Sequence, residues 1–264
     1  MILKISRGLK YVLLLILWGG FQPQVAEAQK EASSQESLAE LYAKAVKDAL
    51  NPEPGEVSRQ LVPISLENGH LIWEAFDGKP YVLMVSWVSD ASYYQHSLEK
   101  KQPYNTGSYS IWVSAAPQVQ KRCSWGGFGG QDLDLRLRQL LGLPPRDPEK
   151  DLEKKDFVEF WVRPQDLFRP CPDNEVEDRS CGLDLPAKVP PQYRLWFNSL
   201  RARQYFQSSQ PTQNEAYPWT QLGYTYDWSP TNRGHVGPSE FVIRQNSEVR
   251  IKGIVPTGKY CGRE

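Results

Sequence analysis

Positive charge in excess is the first thing this chain lacks. Its 31 Lys and Arg are balanced by 31 Asp and Glu. A protein that neutralises a phosphate backbone needs a basic surplus, so nucleic acid is excluded as a partner class. Histidine is equally scarce: His70, His96 and His235 are the only three. None falls at the i, i+4 spacing by which one helix face presents a metal pair. There are four cysteines and no C-x-x-C, so no zinc ribbon or finger is spelled out. Gly237-Pro238-Ser239-Glu240-Phe241 lacks the second glycine of a nucleophile elbow. No internal repeat is visible. Apart from Tyr11–Trp18, no long apolar run exists, and that one is too short to span a bilayer, which takes roughly 20 residues.

The short apolar block is informative by position. Lys4, Arg7 and Lys10 precede it, and Ala26-Glu27-Ala28 follows with a small-x-small pattern. Together these predict a signal peptide over 1–28, cleaved before Gln29. The expected product is secreted or periplasmic, without a membrane span and with a small net negative charge. In an oxidising compartment four cysteines imply two disulfides. Of three possible pairings, the reading favours Cys171–Cys181, closing a short loop, and Cys123–Cys261, tying the C-terminal end to mid-chain.

Residues 29–264 are long enough for a single α+β domain, with an N-terminal helix within 29–55 packing on it. Leu38, Leu41, Tyr42, Ala45 and Ala49 recur at helical spacing after the Ser37-x-x-Glu40 capping pattern. Asp77-Gly78 separates two apolar runs and predicts a hairpin. The second run, Tyr81–Val88, is apolar on both faces and should lie centrally. Tyr109, Ile111 and Val113 alternate with serines, although Trp112 breaks the polar face. Ser89–Gly107 reads as a long loop. Asp132 caps a helix with Leu133, Leu137, Leu140 and Leu141 on its buried stripe, and a further helix carries Tyr193, Trp196, Phe197 and Leu200. Strands are expected at Phe157–Val162, Leu222–Trp228, Glu240–Arg244 and Val249–Val255. The sum is a mostly antiparallel twisted sheet with about three packed helices.

Candidate chemistry is sparse. The acidic stretch Asp173-Asn174-Glu175, Glu177-Asp178 and Asp184 has oxygen donors for calcium but not the spacing of a calcium loop, and a solvated turn accounts for it; no metal site is assigned. Cys123 with the distant His235 has the order of a thiol nucleophile and base. That use would leave an odd number of thiols in an oxidising milieu. Trp219, Tyr224, Tyr226, Asp227 and Trp228 form a dense aromatic and acidic cluster, suited to stacking on sugar rings and bonding their hydroxyls, or to filling a core. Asp227 and Glu240 are also the two carboxylates available to a glycosidase, whose separation sequence does not give.

Two resemblances follow from longer blocks. Asp166–Asp173, Tyr217–Trp228 and Ser239–Ile243 resemble a family of uncharacterised exported bacterial proteins, over about Val57 to Cys261. That likeness implies no activity, substrate or cofactor. Phe160–Phe168 and Ser239–Ile243 resemble the arginine-bearing and glutamate-bearing strands of ADP-ribosyltransferase-type toxins. This implies that Arg163 holds NAD phosphate while Glu240 stabilises an oxocarbenium-like ribose. Pro238 stands where that family places an acid or amide, which leaves at most NAD hydrolysis. The expectation is therefore a non-catalytic binding or interaction domain with an extracytoplasmic ligand, carbohydrate or protein, and no cofactor. The alternative is an NAD-consuming enzyme using Arg163 and Glu240, with NAD as substrate, or a glycosidase.

Overall fold

The computed structural model describes residues 36–124, 128–146, 155–206 and 216–263. The predicted leader lies outside them. Residues Leu38–Glu264 form one compact unit. Its fold is α+β, built on one sheet whose pairings are all antiparallel. No helix among the described residues is long and apolar enough to cross a membrane.

Helix α1 (Leu38–Asp48) buries Tyr42, Ala45 and Val46, the stripe its spacing predicts. Strand β1 (Trp73–Phe76) turns into β2 (Lys79–Val88) through Asp77 and Gly78, both at positive φ (52° and 71°), as a two-residue hairpin requires. β2 sits centrally, paired along one edge with β5 (Asp156–Val162) and along the other with β1 and β4 (Ile111–Ala115). The long Ser89–Gly107 segment is not simply a loop. It contains α2 (Ser92–Lys100) and β3 (Tyr104–Asn105). α2 has no fully buried residue; it half-buries Tyr94, Ser97 and Leu98, with Tyr94 against Phe160, a short apolar stripe that is easily missed among polar residues. Helix α3 (Ala116–Cys123) follows β4 directly, with a proline in its first turn.

Helix α4 (Leu133–Leu140) starts where expected: the Asp132 carboxylate accepts the Leu135 amide at 2.7 Å. Beyond β5 come β6 (Leu167–Phe168), α5 (Pro191–Tyr205), β7 (Tyr224–Tyr226), β8 (Val236–Ile243), β9 (Glu248–Pro256) and the short α6 (Thr257–Tyr260). The main path across the sheet is β3-β9-β5-β2-β4-β8-β6, with β1 beside β2 and β7 beside β8. Both faces are apolar. Val82, Met84, Val158, Phe160, Phe241 and Ile243 fill one. Leu83, Val85, Trp87, Phe157 and Trp161 fill the other, under α3, α4 and α6.

The cysteines stand in the pairs expected. Cys123 and Cys261 join the ends of α3 and α6 with Cα atoms 5.1 Å apart. Cys171 and Cys181 close the short loop at 6.4 Å. The acidic stretch beside this second pair is organised by a cation from the chain itself. Arg169 is fully buried, and it donates Nε to the Glu175 carbonyl at 3.1 Å and Nη2 to the carbonyls of Val62 (3.2 Å) and Asp178 (3.1 Å). Burial pulls its guanidinium down to about 10, partly offset by Asp178 and Asp173. Its charge lies 4.9 Å from the centre of the Phe241 ring.

Candidate functional site

Among the described residues the Glu240 carboxyl has no hydrogen-bond or ion-pair partner. In β8, Phe241 and Ile243 point into the first apolar face, which sends Glu240 and Val242 to the opposite one. Three backbone relationships hold that register: Glu240 is paired with Ser114 across β4, its amide donates to the Gly223 carbonyl at 2.9 Å, and Ser239 is pinned on both sides. The Ser239 hydroxyl accepts the Val62 amide (2.8 Å), while its own amide donates to Gln118 Oε1 (2.9 Å).

On its own face Glu240 lines a cavity of about 360 Å3, within the roughly 300–1,000 Å3 range of small-molecule sites. The floor comes from β2, β4 and β8, through Val85, Trp112, Ser114 and Glu240. Val119 of α3 and Leu141–Leu143, just past α4, form one wall. Leu200 and Gln204 of α5, with Tyr217–Trp219, form the other. Tyr217 both lines the cavity and is 45 % exposed, which puts the mouth beside it. The Tyr217 amide donates to Gln204 Oε1 at 2.9 Å, fixing the rim. Trp112 and Trp219 meet edge to face, centroids 6.4 Å apart and planes at 84°, forming an aromatic corner.

The electrostatics are one-sided. Glu240 is the only ionisable acid in this lining, and no Lys, Arg or His joins it among the described residues. Its carboxyl has no hydrogen-bond or ion-pair partner there. It is partly accessible because it faces the cavity, yet it lies deep enough that burial pushes it up to about 8. Burial, with a smaller contribution from Glu240, also raises the nearby Tyr205 phenol, whose hydroxyl donates to the Trp219 carbonyl at 2.7 Å.

Arg163 does not meet Glu240 in this cavity. It lines a separate groove with Lys79, Gln165, Glu175 and Arg244, and its Nε is 2.7 Å from Asp166 Oδ2. That hydrogen bond first, and the carboxylate's charge, raise the guanidinium further. Asp227 is not in the cavity either. It is fully buried and held by Arg136 Nη1 and Nη2 at 2.9 and 2.7 Å.

The aromatic cluster forms no exposed row. Trp219, Tyr224, Tyr226 and Trp228 are only 2–5 % exposed. Their polar atoms are used inside the protein: Trp219 Nε1 donates to the Pro170 carbonyl, Trp228 Nε1 to that of Leu143, Tyr224 to that of Glu56 and Tyr226 to Asp48 Oδ2. Tyr226 and Trp228 pack against α1, whereas an irregularity in β7 sends Tyr224 to the cluster around Cys171–Cys181. Only Trp219 and Tyr226 of the set reach the cavity. The other wall residues, Trp112, Ser114, Leu200, Gln204 and Tyr217, carry no sequence motif. The one signal was Trp112, the residue out of place on an otherwise polar strand face.

Comparison with protein-family models, curated proteins and solved structures finds no match to this chain.

Proposed function

We propose that this chain is an exported, disulfide-stapled binding protein that holds a small, mainly apolar molecule in the cavity under α5, with Glu240 as its single charged anchor. The observation that carries this reading is a partly accessible carboxyl without a partner among the described residues, facing an apolar cavity that opens to the surface at Tyr217. Unpaired buried polar groups cost stability, and a chain retains one most readily where a ligand completes it. The two disulfides support export. Binding is favoured over cleavage of NAD, which would need Arg163 and Glu240 on one substrate, because the two line different cavities. It is favoured over glycoside hydrolysis because Asp227 is committed to Arg136 outside the cavity. The mainly apolar walls suit a compact apolar body better than a polyhydroxylated sugar.

The test is calorimetric titration of the oxidised protein with small aromatic and alicyclic alcohols, repeated on Ser114→Leu. Ser114 lies beside Glu240 on β4, and a leucine there fills the cavity. Saturable one-to-one binding, lost in a folded Ser114→Leu variant, is expected. Absence of binding by the whole panel, or equal binding by the filled variant, would overturn the reading.

A further inference from the structure

Resting on the binding reading above, we propose that the cavity selects an organic cation, an amine or quaternary ammonium head seated between the Glu240 carboxylate and the Trp112–Trp219 corner. Its apolar body would lie along Val119, Leu143 and Leu200. Three observations converge on that charge. The described lining holds one acid and no base, so an empty cavity has no internal counter-ion for Glu240. No hydrogen-bond donor among the described residues takes up the carboxyl, which leaves its oxygens for whatever enters. The two indoles line the same cavity with their planes at 84°, and aromatic faces carry the negative end of the ring quadrupole. A cation entering here meets a carboxylate on one side and π-faces on the other. A ligand filling the cavity would displace water from it, and charge attraction is stronger in such a setting than at the surface. Once the carboxyl has ionised, an anion would meet repulsion from the same groups, and a neutral molecule would leave the carboxylate without its counter-charge.

The experiment is a charge series on one scaffold, measured by calorimetry on the full oxidised protein at about pH 9, where Glu240 has ionised and an alkylammonium is still charged: 2-phenylethylammonium, 2-phenylethanol and 3-phenylpropanoate. The expected order on wild type is ammonium at least about tenfold tighter than alcohol, with no detectable binding of the carboxylate. In Glu240→Gln, the ammonium should lose most of its advantage over the alcohol, keeping only what the aromatic corner supplies, while the alcohol is unchanged. Wild-type alcohol binding as tightly as ammonium would overturn the cation assignment and leave the binding reading standing. So would a Glu240→Gln variant that keeps the full ammonium preference. If none of the three binds, both readings fall. The wild-type order needs no variant, so it decides the matter even if Glu240→Gln does not fold.

Discussion

Arg136 and Asp227, 91 residues apart in sequence, form a two-pronged buried ion pair at 2.9 and 2.7 Å. Asp227 accepts two further hydrogen bonds, from Asn232 Nδ2 at 2.9 Å and from the Ser229 amide at 3.2 Å. The pair locks α4 to the residues that follow β7. Leu141–Leu143, immediately after α4, and Tyr226, at the end of β7, line the cavity. The pair therefore holds the wall in place without touching its contents.

Removing one partner strands the other. Asp227→Ala should cost about 3–5 kcal/mol, because it leaves an uncompensated buried guanidinium. Replacing both with apolar residues, Arg136→Met with Asp227→Leu, should recover much of that loss. Urea unfolding of the two variants checks this, the double variant unfolding at higher denaturant than the single.

Glu240 should make the protein less stable as pH rises. Burial raises its folded value to about 8, from the ordinary 4.5. Between those values the unfolded chain has given up the proton and the native one has kept it. Native protein then binds more protons, so unfolding free energy falls with increasing pH across this window and levels off above it. Each unit of difference is worth about 1.4 kcal/mol, and the expected total is a few kcal/mol. Thermal unfolding from pH 4.5 to 9 should show the decline, and Glu240→Gln should flatten it. An unchanged slope in that variant would contradict the assignment.

The two disulfides should contribute unequally. Cys123–Cys261 spans 138 residues and Cys171–Cys181 spans 10. Loop-closure entropy then gives about 5 and about 3 kcal/mol respectively. Paired Cys→Ser variants, compared by urea unfolding, should rank in that order.

Gly237 is required by proximity. A methyl group there would meet Thr225 Oγ1, and it would stand 2.7 Å from the Leu140 carbonyl. Gly237→Ala must displace β7 or the end of α4, and should cost about 1–3 kcal/mol. Gly234→Ala serves as the control, since its nearest atom is the Asn232 side chain at 4.0 Å. It should unfold within about 0.5 kcal/mol of wild type.

Much of the frame was legible because its signals are local. The Asp77-Gly78 turn, the doubly apolar Tyr81–Val88 run, the Asp132 cap and the periodicity of α1 each state their structure within a dozen residues. What escaped were features set by distant partners. α2 packs only a narrow, half-buried stripe centred on Tyr94, too short to stand out from its polar neighbours. Arg169 looks in sequence like any surface arginine beside acids, yet carbonyls from two separate segments enclose it. The aromatic cluster after Tyr217 was visible. Whether its rings face water or protein depends on α1 and α5, which pack there from far along the chain. Glu240 was singled out through a short strand likeness, but the cavity that gives it meaning is assembled from α3, α5, the end of α4 and five strands. No window of sequence contains it.

The alternation of β8 carries a last consequence for folding. Shifted by one residue, this strand would drive Glu240 into the dry face beside Phe160, and it would turn both Phe241 and Ile243 out to the face beneath α5. The carboxyl group thus acts as a checkpoint against misalignment during assembly, and a variant lacking it should tolerate mispaired forms that the natural chain rejects.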